Sequence, residues 1–468
     1  MTASIAGSIE AAPKKSAGPL GVASWMLFDW AAQPYYTLIT TFLFAPYFST
    51  YFIGDAAQGA AIWGYTMGVA AILVAIGSPI LGAMADSRGR LKPYIAWLSV
   101  AFVLGQLALW FAVPGATVYL WLIVPALLLA TVAGEFSIVL NNALMPHIVS
   151  PDKYGRLSGG GWALGYLGGL LSLVFMAAFI LIDTGTGRTM LGLEPLLPLD
   201  VASREMDRIV GPFSALWFTV FVIPFFLFTP DAPAKRNVQR ASLKQAFASI
   251  GGTLGNIRRY RDIALFFAAR MLFIDGLLAI FTFGGIYAAG VFGWQTIVIG
   301  YFGIILSIAA GTGAAIGGVL DDRLGSKTVI IAALLILIAG ALGVISIDRE
   351  HVFFFVEVAP PIDNAGLFAS TGERVYIGFA ILIGLAAGPL QSASRSLLAR
   401  MAPPEHMSEF FGFFAFSGKV TAFAAPFMIG IIADTTGSLQ TALSVILAFL
   451  LVGLALMIRV RTPAARHG

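Results

Sequence analysis

The chain has 468 residues, of which 58 % are hydrophobic and only 11 % charged. A soluble domain carries about 25 % charged residues, so the composition excludes an ordinary soluble protein and points to a chain immersed in lipid. There is no cysteine, which excludes a disulfide framework and thiolate chemistry, and the 4 histidines are too scattered for a zinc site.

In chain order, the first segment, MTASIAGSIEAAPKKSAGP, has no long apolar core ahead of its lysines and does not read as a signal peptide. Residues 1–20 are therefore expected to be a cytoplasmic tail. Twelve apolar runs follow, each near the roughly 20 residues that cross a bilayer as a helix. The first six cover 21–52, 60–84, 93–112, 117–146, 159–182 and 211–229. The second six cover 262–289, 295–320, 327–347, 373–398, 408–433 and 438–458. The long first and seventh runs are expected to tilt or to include interfacial turns. Alternating strands do not explain such runs, which sets a β-barrel aside. The expected architecture is an all-α integral membrane protein with twelve transmembrane helices. They form two six-helix bundles, 21–230 and 262–459, joined by a linker at 231–261, with a short tail at 460–468.

Basic residues set the orientation. With the N-terminus inside, 20 of the 28 lysines and arginines fall in cytoplasmic segments. Arg188, Arg204, Arg208, Arg349 and Arg374 fall outside, while Arg270, Arg395 and Lys419 lie within helices. The net charge of +4 thus reflects topology rather than nucleic-acid binding. The basic run KRNVQRASLKQAF…NIRRYR reads as a cytoplasmic linker, partly an amphipathic helix at the membrane surface.

The chain echoes itself. GAMADSRGRLK after the second helix has a counterpart in GVLDDRLGSK after the eighth, aligning Gly82, Asp86, Gly89 and Lys92 with Gly318, Asp322, Gly325 and Lys327. A weaker echo joins the region from Gly134 to the region from Gly388. Two parallel six-helix repeats account for both.

The spacing Gly-x-x-x-Asp-x-x-Gly-Arg resembles the signature of the major facilitator superfamily. SWMLFDWAAQPYYTLITTFLFAPYF, GRLSGGGWALGYLGG and SRSLLARMAPPEHMSEFFGFFAFSGKVTAF resemble, more narrowly, the fungal vacuolar amino-acid effluxers and their bacterial relatives. This resemblance covers nearly the whole chain. It implies secondary transport by alternating access, with the two repeated loops latching the cytoplasmic side while the cavity opens outward. Gly82, Asp86, Gly89, Arg90, Asp322, Arg323 and Gly325 are then gating candidates. Asp86 would face the start of helix 11 near Ser408, and Asp322 the start of helix 5 near Ser158. A carboxylate there meets unpaired backbone N–H groups. Arg88, Arg90, Arg323 and Lys327 would pair across the halves or bind lipid phosphates.

Charged and polar residues inside membrane helices are functional candidates by default. Helix geometry puts Asp29, Gln33, Tyr36 or Thr37, and Thr40 on one stripe of the first helix, with Pro34 removing a backbone donor beside it. Glu135 and Asn142 share nearly one face of helix 4, where Glu135 is a candidate for proton coupling or for a structural hydrogen bond. Many drug and sugar carriers of the superfamily place an arginine in helix 4. This chain has Asn141 and Asn142 there and carries Arg395 in helix 10, on one face with Gln391. Arg395 would make a gate contact, bind a substrate anion, or snorkel to the interface. Arg270 is expected to meet Asp29. Asp275, five residues on, needs another partner. Lys419 would contact an anionic substrate or satisfy Glu135 or Asp275.

No Walker motif is present, so no nucleotide or other cofactor is expected and no enzyme constellation appears. The leading reading is secondary active transport of a small polar solute, such as an amino acid or related metabolite, by a monomer in a bacterial inner membrane. Proton coupling stays open. A lipid-handling scramblase or flippase and an uncoupled facilitator are the alternatives.

Overall fold

The computed structural model describes residues 17–182, 186–235, 243–256, 258–361 and 366–462. Most of the N-terminal tail, part of the basic linker and the end of the C-terminal tail lie outside them. The membrane helices of the first half are α1 (Pro19–Pro34), α2 (Ala56–Arg88), α3 (Lys92–Ala108), α4 (Leu120–Ala143), α5 (Tyr154–Phe179) and α6 (Val210–Phe228). The second half holds α7 (Arg261–Phe292), α8 (Thr296–Leu324), α9 (Ser326–Ile345) and α10 (Thr371–Met401). It ends with α11, in two pieces (Met407–Ser417 and Ala424–Thr436), and α12 (Leu439–Arg459). Among the described residues, 10 helices are long and apolar enough to cross a membrane. The other two crossings are irregular, and both irregularities shape the interior.

The first arises at Pro34. A proline has no N–H for the carbonyl four residues back, and the carbonyl of Trp30 instead accepts from the indole Nε1 of Trp217 at 3.4 Å. Directly after Pro34 the backbone widens into a π-helix, Tyr35–Phe42, and continues through Phe44–Tyr47 to a second π-turn at Phe48–Phe52. The second irregularity corrects the expectation of a continuous eleventh helix: between Ser417 and Ala424 the chain makes turns. The seventh helix, by contrast, runs unbroken for 32 residues.

Both halves share an end that carries the α2–α3 and α8–α9 turns, here called the latch end. Gly89 and Gly325 each terminate a helix with φ +85°, a conformation that costs a side-chain-bearing residue dearly. Gly82 lets α2 lie directly on the backbone of Ser408, since a Cβ there would stand 2.2 Å from its carbonyl oxygen. Its repeat partner Gly318 lies on Gly155 in the same manner, 2.6 Å from that carbonyl. Small residues allow this close approach between membrane helices.

A helix in the linker, Leu243–Gly255, lies against α2. At the opposite end the connections are longer. They include an antiparallel hairpin of β1 (His351–Val352) and β2 (Val356–Glu357).

Candidate functional site

The two halves enclose a cavity of about 950 Å³, lined by α1, α4, α5, α7, α8, α10 and α11. Its floor lies toward the latch end. There Arg395 of α10 crosses into the first half and is held by four acceptor atoms on three residues. Nη1 donates to Asp29 Oδ2 at 2.9 Å and to Asn142 Oδ1 at 3.0 Å. Nε reaches Ser158 Oγ at 2.8 Å, and Nη2 reaches the Ser158 carbonyl at 2.7 Å. The guanidinium also lies 5.0 Å from the ring of Trp25. Its side chain is 4 % exposed. Satisfying a buried guanidinium on so many acceptors is what makes its burial tolerable. One turn along α10, Gln391 donates to the hydroxyl of Tyr166 at 3.0 Å.

This corrects the expected Asp29–Arg270 pair. Asp29 lies against α5 and α10, where Arg395 reaches it first. The glycine run of α5 permits this: a Cβ on Gly161 would stand 2.6 Å from Asp29 Oδ2 and 2.9 Å from Arg395 Nη2. Ser158, expected beside Asp322, serves Arg395 instead, and Asp322 meets Gly155 and Arg156 one turn earlier. The sequence does not mark Gly161, Trp25 and Tyr166 as partners of this site.

Above the floor, Lys419 in the break of α11 pairs with Glu135 of α4 at 2.9 Å. Arg270 turns to α11 as well. Its Nη1 donates to the Phe414 carbonyl at 2.7 Å and to Ser417 Oγ at 2.9 Å, and the guanidinium lies 3.5 Å from the Phe414 ring centroid. It thereby caps the first piece of α11 as a cation at a helix C-terminus. Its Nε has no partner, and no carboxylate lies within ion-pair distance of it among the described residues.

The cavity thus holds two carboxylates, Asp29 and Glu135, against three cations, Arg270, Arg395 and Lys419. Tyr36 and Trp162 line it, and their hydroxyl and indole N–H, both buried, have no partner among the described residues. Gln33, Thr37 and Thr40 complete the polar stripe of the first crossing, and Ile274, Leu277, Phe281 and Phe302 form an apolar wall opposite. Asp275 does not line the cavity; it is buried behind the wall.

At the latch end, Asp86 accepts from the backbone N–H of Ser408 at 3.0 Å and of Glu409 at 2.9 Å. Asp322 accepts from Gly155 N at 2.7 Å and Arg156 N at 3.0 Å. Each carboxylate therefore joins one half to the start of a helix in the other. The surroundings differ. Beside Asp322, Arg400 binds Asp321, Asp322 and Ser326, and its Nε donates to the Pro151 carbonyl of the first half at 3.2 Å. Beside Asp86, the buried Glu409 accepts from Ser249 at 2.6 Å and Thr253 at 2.6 Å, both on the linker helix. Arg90 and Arg323 are exposed and make no ion pair among the described residues; the ion pair that crosses the halves here is Arg156–Asp322 at 3.5 Å, and Arg400 crosses through its hydrogen bond to the Pro151 carbonyl. Lys92 and Lys327 likewise bind within their own halves.

The comparisons with known proteins now bear on this geometry. Residues 47–467 match the family described as vacuole effluxer Atg22 like. The chain belongs to that family. It is 25 % identical over 449 residues to the Bacillus subtilis protein described as an uncharacterized MFS-type transporter YxiO, covering 93 % of each chain. Autophagy-related protein 22 of Cryptococcus neoformans is 26 % identical over 322 residues, which is 67 % of this chain and 51 % of that protein. This chain therefore spans about half the length of that fungal relative.

Solved structures share the fold. The transporter FucP in its outward conformation matches with a TM-score of 0.70 at 14 % identity, covering 95 % of this chain and 99 % of that one. The human organic anion transporter MFSD10 matches with a TM-score of 0.66 at 14 % identity, covering 94 % and 99 %. The relatives are transporters and effluxers rather than enzymes. The protein is an all-α membrane transporter of the major facilitator fold, and its family supports secondary transport of a small solute.

Proposed function

We propose that this protein moves a small solute bearing an anionic group, such as an amino acid or related metabolite, across a bacterial inner membrane. It does so as a monomer by alternating access, with both termini and the latch end in the cytoplasm. The segregation of basic residues supports that orientation. In this conformation the inner end is shut by Asp86 and Asp322. Both act as gates, with Gly82, Gly89 and Gly325 giving the backbone room for the latches.

The observation that carries the reading is the charge balance of the cavity. Asp29–Arg395 and Glu135–Lys419 neutralise one another, and Arg270 is left without a carboxylate. A cation in the membrane interior without a carboxylate at ion-pair distance is costly, and an incoming carboxylate reduces that cost. Tyr36 and Trp162 border the same space, with a hydroxyl and an N–H that have no partner among the described residues, while the apolar wall accepts a side chain. Few polar groups on a largely apolar surface suit recognition of a small molecule.

The test is a flux panel in proteoliposomes: radiolabelled amino acids and small carboxylates, each with pH and sodium gradients imposed or collapsed. Saturable flux of an anion-bearing solute, lost in Arg270→Ala, is expected. Absence of flux for the whole panel with folded protein, or flux indifferent to Arg270, would overturn the reading.

A further inference from the structure

Behind the apolar wall, α7 carries a carboxyl group that the solute site leaves unused. Asp275 is 0 % exposed, and neither of its oxygens has a hydrogen-bond partner among the described residues. The next residue, Gly276, packs on Phe449 and Leu450 of α12, so the group sits among α7, α11 and α12 and away from the cavity. Its neighbours are few. The hydroxyl of Thr421, in the break of α11, lies beside it as a weak donor, short of a well-formed hydrogen bond, and makes no other hydrogen bond among the described residues. The charged group that acts on it is Arg270. Lys419, in the same break, is turned the other way onto Glu135.

A carboxylate with no more than one weak hydroxyl donor in a membrane interior is expensive in its ionised form. A hard metal cation would require about six oxygen ligands, and here it would meet one carboxyl, one hydroxyl and a neighbouring guanidinium of like charge. No group of three or more metal-binding side chains occurs among the described residues. The species that fits the space and the charge is a proton.

We propose that Asp275 is a proton site, and that its carboxylate competes with the solute's anionic group for the guanidinium of Arg270. The second part rests on Arg270 as the solute's anion site. With the proton bound, Asp275 is neutral and Arg270 stays on Phe414 and Ser417, facing the cavity and open to an anion. When the proton leaves toward the open side of the membrane, the carboxylate left behind attracts Arg270 away from the cavity. The break in α11 makes the exchange short, because Ser417 and Thr421 are about one helical turn apart. Coupling of this kind is reciprocal: the proton raises the affinity for the solute, and the solute raises the affinity for the proton. Glu135 cannot play the same part while Lys419 neutralises it.

Two measurements test this on the full-length protein in lipid. Infrared pH-difference spectra, taken with no solute present, should show the carbonyl band of a buried protonated carboxylic acid. The band should vanish in Asp275→Asn, persist in Glu135→Gln and shift in Thr421→Val. A band that survives in Asp275→Asn, or is lost in Glu135→Gln, overturns the proton site. In proteoliposomes given a mixture of radiolabelled amino acids, Asp275→Asn should keep counterflow exchange. It should lose roughly tenfold or more of the accumulation driven by a pH gradient. Undiminished accumulation in that variant overturns the coupling. If no amino acid moves even in the wild type, the solute reading fails, and the infrared result still decides the proton site.

Discussion

Lys92 and Lys327 close equivalent joints in the two halves. Lys92 Nζ donates to the carbonyls of Phe226 at 2.8 Å and Thr229 at 2.7 Å, where α6 ends. Lys327 Nζ donates to Ile458 at 2.8 Å and Val460 at 2.7 Å, where α12 ends. Each lysine begins the third helix of its repeat and caps the last. A cation on unpaired terminal carbonyls satisfies them and opposes the negative end of the helix. The faint alignment of these two residues in the sequence therefore marks a shared structural job.

That job predicts a stability effect with little effect on transport. Lys92→Met or Lys327→Met should each cost roughly 1–2 kcal/mol, read as a lower melting temperature in detergent. Both variants should retain flux, since neither lysine touches the cavity. A loss of flux with unchanged melting would show instead that one of them acts on the solute path.

The packing of α5 separates two adjacent glycines. A Cβ on Gly161 meets the Asp29 carboxylate and the Arg395 guanidinium, which are fixed by their own bonds. A Cβ on Gly160 meets Met26 Sδ at 2.5 Å, the far part of a flexible side chain. Gly161→Ala should reduce flux roughly tenfold or more by displacing the ion pair. Gly160→Ala should stay near wild type. Equal tolerance at both positions would remove the claim that the Asp29–Arg395 geometry is held by close approach of α5.

Much of this arrangement was legible in the sequence, and the gaps have physical causes. The helices announced themselves through apolar runs of membrane length, and the repeat exposed the Asp86 and Asp322 turns, because backbone geometry ties a glycine and a carboxylate to fixed spacing. Pairings between distant helices were less accessible. Arg270 and Arg395 are both intramembrane arginines, and nothing local says which one Asp29 will meet; the choice depends on the tight seating of α5 against α1 and α10. The break in α11 was hidden too, since SGKVTAF keeps the apolar character of a continuous span. Glu409, one residue after Ser408, looked like an ordinary polar residue at a helix start. Its partners Ser249 and Thr253 lie 160 and 156 residues away.

Those partners tie the linker helix to the latch end beside Asp86. Glu409 is 0 % exposed, and its two oxygens are taken by Ser249 and Thr253, while its N–H goes to Asp86. Replacing both hydroxyls, Ser249→Ala with Thr253→Val, leaves the buried carboxylate with only His406 Nδ1, at 3.4 Å, beside its side-chain oxygens, at a cost of about 1–3 kcal/mol. The linker helix should detach and the inward-facing population should rise roughly tenfold. Distances between paired labels on the α2–α3 turn and the α10–α11 connection would read this. An unchanged distribution would reduce the linker helix to a passive connection.

The two carboxylates proposed as gates should not respond alike. Asp86 is held by the backbone N–H groups of Ser408 and Glu409 and by the Ser408 hydroxyl, with no arginine joining it among the described residues. Asparagine there keeps one acceptor but loses the charge, exchanging hydrogen bonds to a charged group for weaker neutral ones. The difference, on the order of 1 kcal/mol or more, translates into roughly a tenfold shift of a two-state population. Asp322 has support. With Asp322→Asn, Arg400 remains anchored on Asp321 and Ser326 and still reaches the Pro151 carbonyl and the Tyr154 ring in the first half. Asp86→Asn should therefore populate the inward-facing state more than Asp322→Asn does, and adding Arg400→Ala to Asp322→Asn should bring the two into line. The same label distances measure all three variants. If Asp86→Asn leaves the distribution untouched, Asp86 is not a gate. If Asp322→Asn shifts it as far as Asp86→Asn with Arg400 in place, Arg400 is not the second tie between the halves.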